Sequence, residues 1–134
     1  MTEDLPDGMP PEVAALAGRL FDQARTGDET LLAYVDAGAP ADLANGSGDS
    51  LVMLAAYHGH AGLVRGLLAR GADPDRANLR GQTPLAGAVF TADRPVVAAL
   101  VEGGADPDAG TPSAREAVTL FGSDVGDLFP GGDA

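Results

Sequence analysis

The sequence predicts an all-α solenoid of stacked helix-turn-helix units joined by short loops or hairpins. Three observations predict it. Gly71-Ala72-Asp73-Pro74-Asp75 recurs as Gly104-Ala105-Asp106-Pro107-Asp108, 33 residues later, and Gly38-Ala39-Pro40 lies 33 residues before the first copy. The same offset links Asn45 to Asn78, Gly48 to Gly81, Ser50 to Thr83, Ala55 to Ala88 and Leu67 to Leu100. Within the period, apolar residues fall at helical spacing, as at Leu63, Val64, Leu67 and Leu68.

The first unit spans about 11–43. Pro10-Pro11-Glu12 is helix-start chemistry, and Val13 to Arg25 follows as a helix. Gly27-Asp28-Glu29-Thr30 opens a second helix from Leu31 to Asp36, its two acids matched to the positive end of the helix dipole. The second unit, about 44–77, reads as a short helix Leu51 to Tyr57, a break at His58-Gly59-His60, and a helix Ala61 to Ala69 stopped by Gly71. In the third unit, about 78–109, Thr83 suits an N-cap, and Pro84 suits the first helical position, where its missing N–H is harmless. Val96, Val97, Leu100 and Val101 make its second apolar stripe, ended by Gly104. Gly71 and Gly104 are expected at φ > 0. The fourth unit, 110–129, lacks about five loop residues after Asp108 and closes the stack with a helix pair over 112–121 and 124–129. A single domain over 10–129 is expected, with solvated tails at 1–9 and 130–134.

Composition narrows the chemistry. The 134 residues hold eight Arg, no Lys, twenty acids and no Cys, for a net charge of −12. Without Cys there is no disulfide framework and no thiolate ligand or nucleophile. Without Lys there is no Walker-type phosphate loop. His58 and His60 are the only two histidines. Gly46-Ser47-Gly48 reads as a loop tip rather than a nucleophile elbow. A chain this acidic is not expected to bind nucleic acid or an anionic membrane, both of which reward basic residues. The acidic N-terminus lacks the basic start and apolar stretch of a secretory leader, and no run approaches a membrane span. The expectation is a cytoplasmic, monomeric non-enzyme with no cofactor and no metal. The Ala, Gly, Asp and Arg bias suggests a GC-rich bacterial genome. With only six aromatics, the core must come from Leu, Val and Ala.

Four segments together resemble one family. They are Gly-x-Thr-Pro-Leu at Gly81 to Leu85, Leu-Ala-Ala at Leu54 to Ala56, Gly-His at Gly59 and His60, and Leu-Leu-x-x-Gly-Ala-Asp at Leu67 to Asp73. This ordered set resembles the ankyrin repeat, whose period is also 33, over roughly residues 11 to 129. The resemblance implies that His60 holds neighbouring loops by hydrogen bonds. It also implies a protein partner on a concave face, built from the loop tips and the outward side of each unit's first helix. The matching columns are Arg25 in the first unit, Tyr57 and His58 in the second, and Phe90 and Thr91 in the third. Asp49, Leu79, Arg80 and Gln82 stand at the tips, and Arg70 precedes a terminal glycine. Tyr57 and Phe90, 33 residues apart, should stand side by side as a hot-spot pair with Leu79 nearby.

Charge follows the register. Residues 1–50 carry −8, residues 51–100 carry +2, and residues 101–134 carry −6. Arg70 and Arg80 are expected to clamp a partner's carboxylates. Arg65 and Arg76 are expected to be solvated or paired with Asp73 and Asp75. The Asp pairs around Pro74 and Pro107 read as loop-fixing, because a calcium loop needs three or more oxygen donors at tight spacing. The function expected is an adaptor or regulator that binds one protein. The alternatives are an acidic inhibitor or immunity-type protein covering a basic site, or an accessory subunit of an enzyme.

Overall fold

A computed structural model describes residues 10–130, so the expected tail at 1–9, and all of the one at 130–134 except Pro130, lie outside the described residues. Seven helices follow in order: α1 (Pro11–Thr26), α2 (Thr30–Asp36), α3 (Leu51–Tyr57), α4 (Ala61–Ala69), α5 (Pro84–Thr91), α6 (Arg94–Glu102) and α7 (Ala114–Phe121). The starts of α3, α5, α6 and α7 are set by side-chain caps. Ser50 Oγ accepts from the Met53 N–H at 3.0 Å, Thr83 Oγ1 from the Ala86 N–H at 3.2 Å, and Ser113 Oγ from the Glu116 N–H at 3.1 Å. At α7, Glu116 also reaches back to the Ser113 N–H, which completes a capping box. Gly71 and Gly104 lie at φ 94° and 95°, as the helix stops require.

The first helices of the units, α1, α3, α5 and α7, pack in sequence as an inner layer, and α2, α4 and α6 form the outer one. Between the layers Leu51, Leu63, Val64, Leu67, Leu85, Val96, Val97 and Leu100 are buried, and hydration released from these apolar faces drives the stacking. Ala24, Ala55, Ala56 and Ala88 are fully buried; with no bulk beyond Cβ they let neighbouring helices approach closely.

The closing unit differs from the expected helix pair. α7 begins only at Ala114, and its partner is a single 3₁₀ turn, Val125–Leu128, packed on α6. Buried Val125 and Phe129 seal that end, with the Arg115 guanidinium 5.8 Å from the Phe129 ring centre.

Asparagine shapes the connecting hairpins. Asn45 Oδ1 accepts the N–H groups of Ser47 and Asp49, both at 3.0 Å, around an antiparallel bridge between Ala44 and Ser50. Asn78 Oδ1 repeats this with Arg80 at 2.9 Å and Gln82 at 3.1 Å. The tips are tied in sequence, Leu79 N–H to the Ser47 carbonyl at 3.0 Å and Thr111 N–H to the Gly81 carbonyl at 2.9 Å.

The Asp residues do fix loops. Asp42 Oδ1 accepts the Asp73 N–H and Asp75 Oδ1 accepts the Asp106 N–H, both at 2.7 Å, so each carboxylate anchors the next unit. Asp73 Oδ1 in turn accepts the Asp75 N–H at 2.8 Å, and Asp106 Oδ1 the Asp108 N–H at 2.9 Å. These commitments explain a correction to the expected Arg pairings. Arg65 pairs with Glu102 at 3.0 Å, and Arg76 donates to the Asp42 carbonyl at 3.1 Å, rather than either meeting Asp73 or Asp75. Arg70–Asp36 at 2.8 Å and Arg94–Asp127 at 3.1 Å complete a series of bridges from α2 to α4, α4 to α6, and α6 to the 3₁₀ turn.

Candidate functional site

The repeat register that stacks the helices also opens a concavity of about 500 Å³ on the inner layer. Its floor is Met53, Leu54, Ala86 and Gly87, from α3 and α5. One rim is made by the hairpins, through Asp49, Asn78, Arg80 and Gln82; the other by helix ends, through Arg25, Tyr57, His58 and Phe90. Pro112 and Phe121 of the closing unit form a wall.

Seven of the ten residues singled out in the sequence therefore meet here: Arg25, Asp49, Tyr57, His58, Arg80, Gln82 and Phe90. Three do not line it. Leu79 projects from the hairpin tip and is 80% exposed. Thr91 turns its hydroxyl back to the Ala88 carbonyl at 3.2 Å. Arg70 sits at the end of the outer helix α4, where Asp36 takes its Nε at 2.8 Å and its Nη2 at 3.2 Å, so its guanidinium is spent within the chain.

The aromatic side of the site is larger than the sequence suggested. Phe90 makes its ring contact with Phe121, edge to face at 5.1 Å and 74°, while Tyr57 stands edge-on to His58 at 5.5 Å. Tyr57, Phe90 and Phe121 are 50%, 57% and 51% exposed, so all three keep apolar surface available for covering. Phe121 escaped the 33-residue register because the shortened loop moves the fourth unit. Counting from the N-cap comes within one residue of it. Tyr57 and Phe90 lie seven residues after Ser50 and Thr83, and the same count from Ser113 reaches Leu120, the immediate neighbour of Phe121.

The polar side is ordered by amides. Arg80 donates through Nε and Nη2 to Gln82 Oε1 at 3.2 and 3.1 Å, and makes no ion pair among the described residues. Asn78 Nδ2 bridges Gln82 Oε1 at 3.0 Å and Asp49 Oδ1 at 2.9 Å. Burial, and then repulsion from His60 and Arg25, holds the His58 pKa below the ordinary imidazole value. The surface can cover a large apolar side chain and present a guanidinium beside it. Among the described residues, no group of three or more His, Asp or Glu is placed to hold a metal ion, and no helix is long and apolar enough to cross a membrane.

Residues 20–111 match the family model for ankyrin repeats, in three copies. A Pseudomonas aeruginosa protein described as an ankyrin repeat protein is 47% identical over 55 residues, which is 40% of this chain. The match spans 32% of that relative's length, well under half of it. The 33-residue hairpin-and-helix-pair unit and the family match agree over the same stretch, and the chain belongs to the ankyrin repeat family.

Proposed function

We propose that this chain is a non-catalytic adaptor or regulator that docks one protein partner in the concavity of its inner layer. Ankyrin repeats are in general protein–protein interaction modules. The observation that carries the reading is the convergence of three half-exposed aromatic side chains, from three successive units, beside Arg25 and Arg80. Large aromatics and Arg dominate the energetics of protein interfaces, and a soluble chain seldom leaves such a group uncovered without use.

The test is capture of partners from the native source on the immobilised chain, with Tyr57→Ala/Phe90→Ala as control. The captured partner should be lost by the double variant while its melting curve stays close to the parent's. Equal capture by parent and variant would move the docking surface elsewhere.

A further inference from the structure

We propose that the concavity selects partner segments in which a single carboxylate stands next to a large apolar side chain. The carboxylate lies on Arg80, and the apolar group is covered by Tyr57, Phe90 and Phe121. This rests on the concavity being the docking surface and adds what it recognises.

The first support is the state of Arg80. Acids outnumber Arg twenty to eight, so an Arg here meets a carboxylate easily. Five of the other seven do, Arg25, Arg65, Arg70, Arg94 and Arg115, while Arg19 and Arg76, which do not line the concavity, make no ion pair among the described residues. Arg80 faces the concavity and instead shares the neutral amide oxygen of Gln82 between Nε and Nη2. A carboxylate in place of that oxygen would give shorter, charge-assisted bonds in the fork geometry that guanidinium favours. Asp49, the acid on the same rim, already accepts the Asn78 amide through Oδ1.

The second support is preorganisation. The Arg80 N–H is fixed on Asn78 Oδ1 at 2.9 Å, and the same Asn78 holds Gln82, so the residue stands on an ordered turn. Little backbone freedom remains to be lost on binding.

The third support is charge. Arg25 and Arg80 face one Asp49 in the concavity, and Arg80 lies in the stretch 51–100, of net +2. The flanking stretches carry −8 and −6 and repel a run of acids. That combination favours one carboxylate in an otherwise apolar segment over a polyacidic one.

A random linear peptide library displayed on phage and selected on the immobilised full chain tests this. Enriched peptides should place Asp or Glu beside Phe, Leu, Met or Trp. A synthetic peptide of that kind should weaken about tenfold on exchange of its acid for the amide, and about tenfold against Arg80→Gln. The two changes together should cost little more than either alone, as expected of one shared interaction. Arg80→Lys should retain part of the acid preference, and unchanged melting of Arg80→Gln excludes misfolding. Enrichment of basic peptides, an acid preference that survives Arg80→Gln, or no enrichment would each overturn the proposal. Apolar peptides without an acid, lost on Tyr57→Ala/Phe90→Ala, would overturn acid selection and leave the docking surface standing. Peptides indifferent to that double variant would overturn both.

Discussion

His60 Nε2 lies 2.7 Å from the main-chain oxygen of Arg25, 35 residues earlier in the chain. A carbonyl can only accept, so Nε2 carries the proton and donates. The bond fastens the end of α1 to the start of α4, and the imidazole fills the space over Gly27, where an added Cβ would stand 2.5 Å from Nδ1. Gly27 and Gly71 both have positive φ, 78° and 94°, but nothing lies within 4 Å of a Cβ at Gly71. Gly71→Ala is therefore expected to cost about 1 kcal/mol through backbone strain alone. Gly27→Ala should cost clearly more, because the ring must also move. Urea unfolding of both variants checks the order; equal losses would mean that the His60 ring yields freely.

Ala92 occupies the position that glycine holds at the ends of the other inner helices. Its φ is 57°, beside 78° at Gly27, 86° at Gly59 and 63° at Gly122. The left-handed region costs a non-glycine residue about 1–2 kcal/mol, partly offset by glycine's greater freedom in the unfolded chain. Ala92→Gly should raise the unfolding free energy by up to about 1 kcal/mol. Calorimetry reads this directly, and a lowered melting temperature would contradict it.

Asp75 gives a pH dependence of determined sign. Its carboxyl is raised above the ordinary value, first by lost hydration and then by the charges of Asp73 and Asp106, against the opposing bond from the Asp106 N–H. A folded-state pKa above the unfolded one gives stability that is full below the unfolded pKa and is lost as pH rises through the folded value. At neutral pH, ionised Asp75 works against the fold. Asp75→Asn keeps an oxygen for the Asp106 N–H and sheds the charge. It should be at least as stable as the parent at neutral pH, with the advantage shrinking as acid protonates the parent's Asp75. A variant less stable at neutral pH would show that the carboxylate's stronger acceptance outweighs its desolvation.

The outer arginine bridges decide little of the stability. Asp36 and Asp127 are held below the usual carboxylate range, chiefly by hydrogen bonds from Arg70 and Arg94, yet the pairs are open to solvent and screened by salt. Replacing Arg65, Arg70 and Arg94 together by Gln should destabilise less than Leu67→Ala alone, which removes a fully buried side chain at a cost of about 2–5 kcal/mol. Denaturation in low and in high salt separates the two, since only the Arg effect should fade with salt.

Most of the fold was legible because its determinants are local and repeated. Thr83 and Pro84 announce a helix start, Gly71 and Gly104 mark stops, and Asn45 and Asn78 stand one period apart. The closing unit was misread because its loop is shorter: Pro112 looks like the first residue of a helix, but Ser113 caps it, and the chain after Gly122 makes only one tight turn. Within the site, the register brought Tyr57 and Phe90 to one surface but hid Phe121. The Arg partners were misassigned for a different reason. Sequence spacing shows which acids are near Arg65 and Arg76; it does not show that Asp73 and Asp75 are already bound to backbone N–H groups.

The named bonds between units span 29 to 37 residues, from Asn78–Asp49 to Arg65–Glu102. Each reaches the adjoining unit and goes no further. Duplication in frame of the second unit would therefore supply the new junction with the Asp and hairpin anchors that the old ones use, though not with the Arg70–Asp36 bridge, whose acid is replaced by Ala69 one period on. The chain carries a rule for its own elongation, and evolution or an engineer can lengthen the surface beside Tyr57 and Phe90 without redesigning what is already there.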